Sequence, residues 1–211
     1  MIRLVGFLGN PGPEYARSRH NAGRLLAEAL PFFSRINWQK KYKGRYAAAA
    51  GDWILSAAAP PERQMEPPDK FHFLMPETYM NLSGESIFAA AAFFKIKPEE
   101  ILVVHDELEI PLGTISLKFS GGLGGHNGLR SIKACFGAAD FWRLRIGIGR
   151  PGEAGPRVVD WVLSDFSAPE TEQLAPVLEA GAGLLLRALA GGPETLLPEW
   201  GKKKIAAQEF V

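Results

Sequence analysis

Residues 101–109 read Ile-Leu-Val-Val-His-Asp-Glu-Leu-Glu. Four apolar residues in a row, two of them valines, fit a central β-strand covered on both faces. That strand delivers three polar side chains, His105, Asp106 and Glu107, at its carboxyl end. Upstream, Ile2–Leu8 is a second short apolar run, and it stops at the turn Gly9-Asn10-Pro11-Gly12. Phe71–Met75 and Thr114–Phe119 read as further strands, and Arg143–Gly149 as a strand with one wet face. Helical spacing covers Asn21–Phe33, with Leu25, Leu26, Ala29 and Leu30 on one side. Asn81 or Ser83 can cap a helix that runs through Ile87 to Phe94. Asn127–Phe136 and Ala168–Leu189 complete the helices. Arg45–Ala50 and Trp53–Ala59 flank Gly51-Asp52, which predicts a hairpin. Pro60–Asp69, with four prolines, and Gly152–Pro156 read as loops.

Alternating strands and helices place the chain in the α/β class. The expectation is a single-domain three-layer α/β/α sandwich around a mixed, mostly parallel twisted sheet. The hairpin is what makes the sheet mixed. The domain is expected over residues 1–190, with a polar C-terminal tail over 191–211 that carries Lys202, Lys203 and Lys204. Sites in such folds lie beyond the carboxyl ends of the strands. The turns at Asn10 and Asp106 both fall there.

The chain has 211 residues, 46% hydrophobic and 22% charged, which excludes disorder and coiled coil as the overall class. A single cysteine, Cys135, rules out an internal disulfide and favours a reducing compartment. No apolar run approaches the ~20 residues of a membrane span. The stretch before Asn10 is too short for a signal sequence. A soluble cytoplasmic protein without a membrane partner is expected. Net charge is +1, in alternating blocks: +7 over residues 1–45, −7 over 46–112, +5 over 113–150 and −4 over 151–211. Such blocks are either solvated surfaces or, if the basic ones meet, one electropositive face for a polyanion.

Four clusters could carry chemistry. The first holds Asn10, Tyr15, Arg17, Arg19, His20 and Asn21; histidine is the natural base near neutral pH. The second, Pro76 to Gly84, sets Asn81 beside Met80 and Leu82. An amide offers an acceptor and two donors, which suits a peptide backbone, although on pattern alone a helix cap is the better account of Asn81. The third is His105-Asp106-Glu107-Leu108-Glu109. Its neighbouring histidines are poorly placed as a ligand set and no cysteine joins them, so no metal is expected. Asp106 could instead hold an imidazole in one tautomer. The fourth, Lys118 to Gly128, is a glycine-rich loop before a helix, without the spacing of a phosphate loop or a dinucleotide fingerprint. Lys118 and Arg145 stand on neighbouring strand candidates as phosphate contacts or as plain surface charges.

Read together, the clusters resemble bacterial-type peptidyl-tRNA hydrolases. The matching stretches are Leu8–Tyr15, Arg19–Gly23, Thr78–Gly84, His105–Leu108, Pro111–Gly113, Gly121–Leu129 and Arg143–Pro151, in order and over roughly residues 2–190. The resemblance implies a monomer that hydrolyses the ester between a peptide and the terminal ribose of tRNA, without metal or other cofactor. By position, it implies His20 as catalytic base, Asp106 as its orienting partner and Asn10 at the reacting ester. Asn81 and Asn127 would bind the peptide backbone and tRNA end, Tyr15 and Met80 would line the cleft, and Lys118 and Arg145 would clamp the tRNA 5′-phosphate. Phe7, Ser18 and Glu109 depart from the family's usual Gly, Thr and Asp. Phe7 is the departure expected to disturb Asn10.

Overall fold

The computed structural model describes residues 1–56, 66–152 and 154–205. The run at 101–107 is β5 (Ile101–Glu107), and every residue of it is buried. It pairs in parallel with β1 (Leu4–Phe7) on one side and β7 (Trp142–Gly147) on the other. β1 pairs in parallel with β4 (Lys70–Pro76). Antiparallel strands extend both flanks: β3 (Gly44–Ala50) and β2 (Gln39–Lys41) beyond β4, and β6 (Thr114–Phe119) and β8 (Lys203–Lys204) beyond β7. The order is β2-β3-β4-β1-β5-β7-β6-β8, a mixed sheet whose parallel pairings are confined to its four central strands.

Both faces are covered, which explains the unbroken apolar runs. Val5, Phe7, Leu102 and Val104 share one core cluster with Leu26 of α1 (Ala22–Glu28) and with Leu185 and Leu189 of α6 (Ala168–Gly191). Leu4, Ile101 and Val103 share the other with Ile87 of α3 (Ser83–Phe94) and Ile132 of α4 (Asn127–Phe136). Phe7 therefore fills the core on the α1 side. Among the described helices, only α6 is long and apolar enough to cross a membrane, and its leucines are spent on this core.

The hairpin expected at Gly51-Asp52 does not form. β3 pairs along its whole length with β4, and Gly51–Ser56 is a short helix, α2. Residues 57–65, the end of the expected partner strand and most of the proline-rich stretch, lie outside the described residues. The hairpin is one strand earlier, where β2 turns into β3 through Tyr42 and Lys43 at φ 52° and 55°. Two side-chain-bearing residues at positive φ give no hairpin signal in sequence. Tyr42 is held by ring contacts at 5.0 Å to Tyr46, 5.6 Å to Phe93 and 5.7 Å to Phe94.

Helix α1 is shorter than its apolar spacing predicts. Pro31 lacks an N–H and disfavours the helical conformation at Leu30, so the chain breaks into turns after Glu28. Beyond Gly191 the chain is polar by composition, yet Leu196, Trp200 and Ile205 are buried and β8 joins the sheet edge. Helices α5 (Val158–Leu163) and α7 (Leu197–Trp200) had no sequence signal in our reading.

One close approach fixes the site. A Cβ on Gly23 would sit 2.5 Å from the Val104 carbonyl oxygen and 2.7 Å from that of Leu8, both backbone atoms of the sheet layer. Only glycine lets the start of α1 lie this near the ends of β1 and β5. Gly23→Ala is expected to cost ~1–3 kcal/mol of stability, read as a lowered denaturant midpoint at unchanged m. A midpoint equal to wild type would show that α1 can ride outward freely.

Candidate active site

His20 lies in the 3-10 turn Arg19–Asn21, between the β1 turn and α1. Its neighbours fix that turn from both sides. Arg19 donates to both oxygens of Glu170 at 2.8 and 2.7 Å, to the Ser164 hydroxyl at 2.6 Å and to the Asp165 carbonyl at 2.7 Å. Its guanidinium lies 3.7 Å over the Trp161 ring. Asn21 accepts from the Asn10 backbone N–H at 2.7 Å and donates to the Asn10 carbonyl at 3.0 Å. Asn10 in turn accepts the Met80 N–H through Oδ1 at 2.8 Å. With that oxygen engaged, the group Asn10 still has to offer is its side-chain NH₂.

The turn sets His20 against the end of β5. Its Nδ1 is 2.9 and 3.0 Å from the two carboxylate oxygens of Asp106. A carboxylate only accepts, so Nδ1 carries the proton and Nε2 keeps a lone pair. A second imidazole shares the carboxylate: His126 Nε2 lies 3.0 Å from Asp106 Oδ1. His126 is the N-cap of α4, and its Nδ1 accepts from the backbone N–H groups of Gly128 at 3.1 Å and Leu129 at 3.4 Å. The His126 proton must therefore sit on Nε2 and be donated to Asp106. The rings of His20 and His126 are 4.9 Å apart.

The electrostatics follow. Burial pushes the Asp106 carboxyl up, but the two imidazoles facing it more than reverse this and hold it well below the usual carboxylate range. Burial pulls the His20 imidazole down; the charge and hydrogen bond of Asp106 outweigh it, and the pKa is raised above 6.5. The Nδ1 of His105 donates to the Asp106 carbonyl at 2.6 Å, and full burial keeps this imidazole neutral.

An open groove of about 460 Å³ runs past this network, lined by Asn10, Tyr15, His20, Met80, Asn81 and Asn127, with Val159, Val162 and Leu163 on its far wall. A smaller recess of about 110 Å³ holds Asp106 and His126 behind His20. Asn81 makes no cap bond, since α3 starts after Leu82 without one, so its amide is free for the groove. Lys118 and Arg145 are elsewhere. Lys118 sits opposite Arg143 and Arg145 opposite Ser116, all on one face of β6 and β7. Lys118 is level with Val103, two strands over from Asp106 and three residues down, roughly 14 Å away by strand spacing. The wet face expected on β7 is half covered: Arg143 is buried and donates to the Gly122 carbonyl at 2.7 Å. Arg145 donates to Ser116 at 2.6 Å and pairs with Glu107 at 3.5 Å. The buried Nε and Nη2 of Arg143 and Nε of Arg145 have no hydrogen-bond partner.

The histidines far apart in sequence do gather, contrary to their poor spacing. Ligand-type atoms of His20, Asp106 and His126 lie within 4.8 Å of one another. All three are already joined by proton-bearing hydrogen bonds at 2.9–3.0 Å, and a metal would have to break them.

The family model for peptidyl-tRNA hydrolase matches residues 4–208. The chain belongs to the peptidyl-tRNA hydrolase family. It is 43% identical to the peptidyl-tRNA hydrolase of Treponema pallidum (strain Nichols) over 97% of this chain and 96% of that relative. It is 44% identical to the one from Aromatoleum aromaticum over 94% and 89%. Among solved structures, the Acinetobacter baumannii peptidyl-tRNA hydrolase superposes with a TM-score of 0.78 at 34% identity, covering 95% of this chain and 96% of that one. The network includes two residues to which the sequence assigns no role, Asn21 and His126. A helix beginning at Asn127 makes residue 126 its cap, and that was the available signal.

Proposed function

We propose that this member of the peptidyl-tRNA hydrolase family cleaves the ester between a peptide and the 3′-terminal ribose of tRNA, returning tRNA from stalled or aborted translation. One observation carries the reading: an imidazole whose Nδ1 proton is held by a buried carboxylate, set in a groove lined by three asparagine side chains. His20 Nε2 takes a proton from water, and the hydroxide adds to the ester carbonyl. The imidazolium then returns the proton to the departing ribose oxygen, giving a tRNA hydroxyl and a peptide carboxylic acid that loses its own proton to solvent. Asp106 fixes the tautomer. Asn10 presents its NH₂ to the carbonyl oxygen, a contribution of ~10²–10³-fold for such a donor. Asn81 and Asn127 read peptide backbone and the tRNA end, which accepts any peptide sequence, and Tyr15 and Met80 line the cleft. An ester has a good leaving group, so one activated water suffices without a covalent nucleophile. A monomer that works in the cytoplasm, where translation would supply this substrate, belongs to the same reading.

The test is release of tRNA from N-blocked aminoacyl-tRNA, with unblocked aminoacyl-tRNA and a neutral ester as controls. Turnover of the blocked substrate alone is expected. Equal turnover of the neutral ester would point to a general esterase, and tight tRNA binding without turnover to an RNA-binding protein.

In this reading Lys118 and Arg145 clamp the tRNA 5′-phosphate, supported by the unpaired guanidinium donors beside them. Burial, with Arg143 and Arg145 nearby, also lowers the Lys118 pKa, as in a cluster built for an anion. Replacing both by alanine is expected to raise KM roughly ten-fold with kcat unchanged. The slope of log KM against log salt should fall by about one. An unchanged slope would move the clamp elsewhere.

A further inference from the structure

We propose that His126 is a positioning residue for the base. It gives its Nε2 proton to the Asp106 oxygen that also receives the Nδ1 proton of His20, holding the carboxylate in register and withholding part of its charge from His20. The inference rests on the reading of His20 as base.

The geometry is specific. A single oxygen, Asp106 Oδ1, is 2.9 Å from His20 Nδ1 and 3.0 Å from His126 Nε2. The His126 proton has no alternative position, because the amides of Gly128 and Leu129 occupy the acceptor on Nδ1. The side chain is 7% exposed, so water does not substitute for it. His126 thus works as a bridge: one nitrogen takes the start of α4, the element carrying Asn127, and the other gives to the partner of His20.

A carboxylate that accepts two N–H donors stabilises each less than it would alone. Without His126, Asp106 would bind the His20 imidazolium more strongly. Water entering the space would also relieve the burial that pulls the His20 pKa down. Both changes raise that pKa, so His126 keeps His20 deprotonated at a lower pH. The other groups around the trio do not cancel this. His105 on β5, 5.0 Å ring to ring from His126, is held neutral by burial. Glu107 on β5 is paired with Arg145, Arg19 of the 3-10 turn is committed to Glu170, and Arg130 of α4 reaches toward Gly125. From α5 the recess is lined by Val158, Val159 and Val162.

The two jobs of His126 separate by substitution. Asparagine places its oxygen where Nδ1 sits and is a good helix cap, but does not reach Asp106. Glutamine places an NH₂ where Nε2 sits and reaches Asp106, but leaves the cap. The experiment is an NMR titration of the four histidine rings in full-length wild type, His126→Asn and His126→Gln, beside kcat/KM against pH for an N-blocked aminoacyl-tRNA. In His126→Asn the His20 midpoint and the acid limb of the profile are expected to rise together by about one pH unit. In His126→Gln both are expected to return to near wild type. A lower rate in His126→Asn with an unmoved His20 midpoint would overturn the proposal and leave His126 a cap only. So would a His126→Gln that behaves like His126→Asn. The wild-type spectrum gives a test that needs no variant: ring ¹⁵N shifts should show His126 protonated at Nε2, and the Nδ1 tautomer would refute the bridge. Should wild-type turnover prove independent of His20, the functional reading fails by itself, while the titration still decides the coupling.

Discussion

His20→Ala is expected to lower kcat/KM for N-blocked aminoacyl-tRNA by about 10²–10⁴-fold, the contribution of a positioned general base. The loss should fall on kcat, because tRNA is held by contacts remote from the imidazole and KM has no reason to change. The fold should survive. His20 makes its described polar contacts with Asp106 alone, and the turn that carries it is fixed by Arg19 and Asn21. Alanine does leave Asp106 with one donor in place of two, so a modest drop in stability is expected as well. Parallel measurements of turnover, tRNA affinity and denaturant midpoint separate these effects. Turnover within a few-fold of wild type would remove His20 from the mechanism. A parallel collapse of tRNA binding would make it a binding residue.

Asp106→Asn keeps the size of the side chain and removes its charge. An Asn oxygen at the Oδ1 position can still accept from both imidazoles, but its NH₂ then stands where Oδ2 now lies, 3.0 Å from the protonated nitrogen of His20. Two donors face each other there. The repulsion is relieved if His20 moves its proton to Nε2, and that tautomer has no lone pair to offer water. In serine protease triads the same substitution costs ~10⁴-fold, and a loss above 10²-fold is expected here. The pH profile supplies a second readout. In wild type the acid limb should lie above pH 6.5, because Asp106 raises His20 past the pull of burial. With the charge gone, burial dominates and the limb should move below 6.5 even as the plateau falls. A full-height plateau would show that the carboxylate is dispensable, and an unmoved limb that it does not set the base.

The sheet was legible because its central strands are buried on both faces, so Ile101–Val104 and Ile2–Leu8 announce themselves as unbroken apolar runs. The candidate site was legible chiefly through the resemblance of its ordered motifs, since residue types alone left His20 as a base at a loop-to-helix junction and Asn81 as a helix cap. What the sequence withheld has physical causes. The β2–β3 turn is made by Tyr42 and Lys43, held at positive φ by an aromatic cluster assembled from α3. No local rule foresees a tyrosine there, and Gly51-Asp52 attracted the hairpin. The arginines of β7 read as a wet face, yet Arg143 is covered by the glycine loop. His126 escaped notice because its role depends on two partners, one 20 residues before it and one immediately after.

The remoteness of Lys118 from Asp106 makes the molecule a caliper. One jaw is the groove at the carboxyl ends of the central strands and the other the cationic cluster of Lys118 on β6 with Arg143 and Arg145 on β7, with a hydrogen-bonded sheet as the rigid beam between them. On the proposed reading, a molecule that carries only an ester, or only a terminal phosphate, would close one jaw. Selection then depends on span as much as on chemistry, and shortening or lengthening the single-stranded end of the tRNA by one nucleotide should be felt as strongly as removing its phosphate.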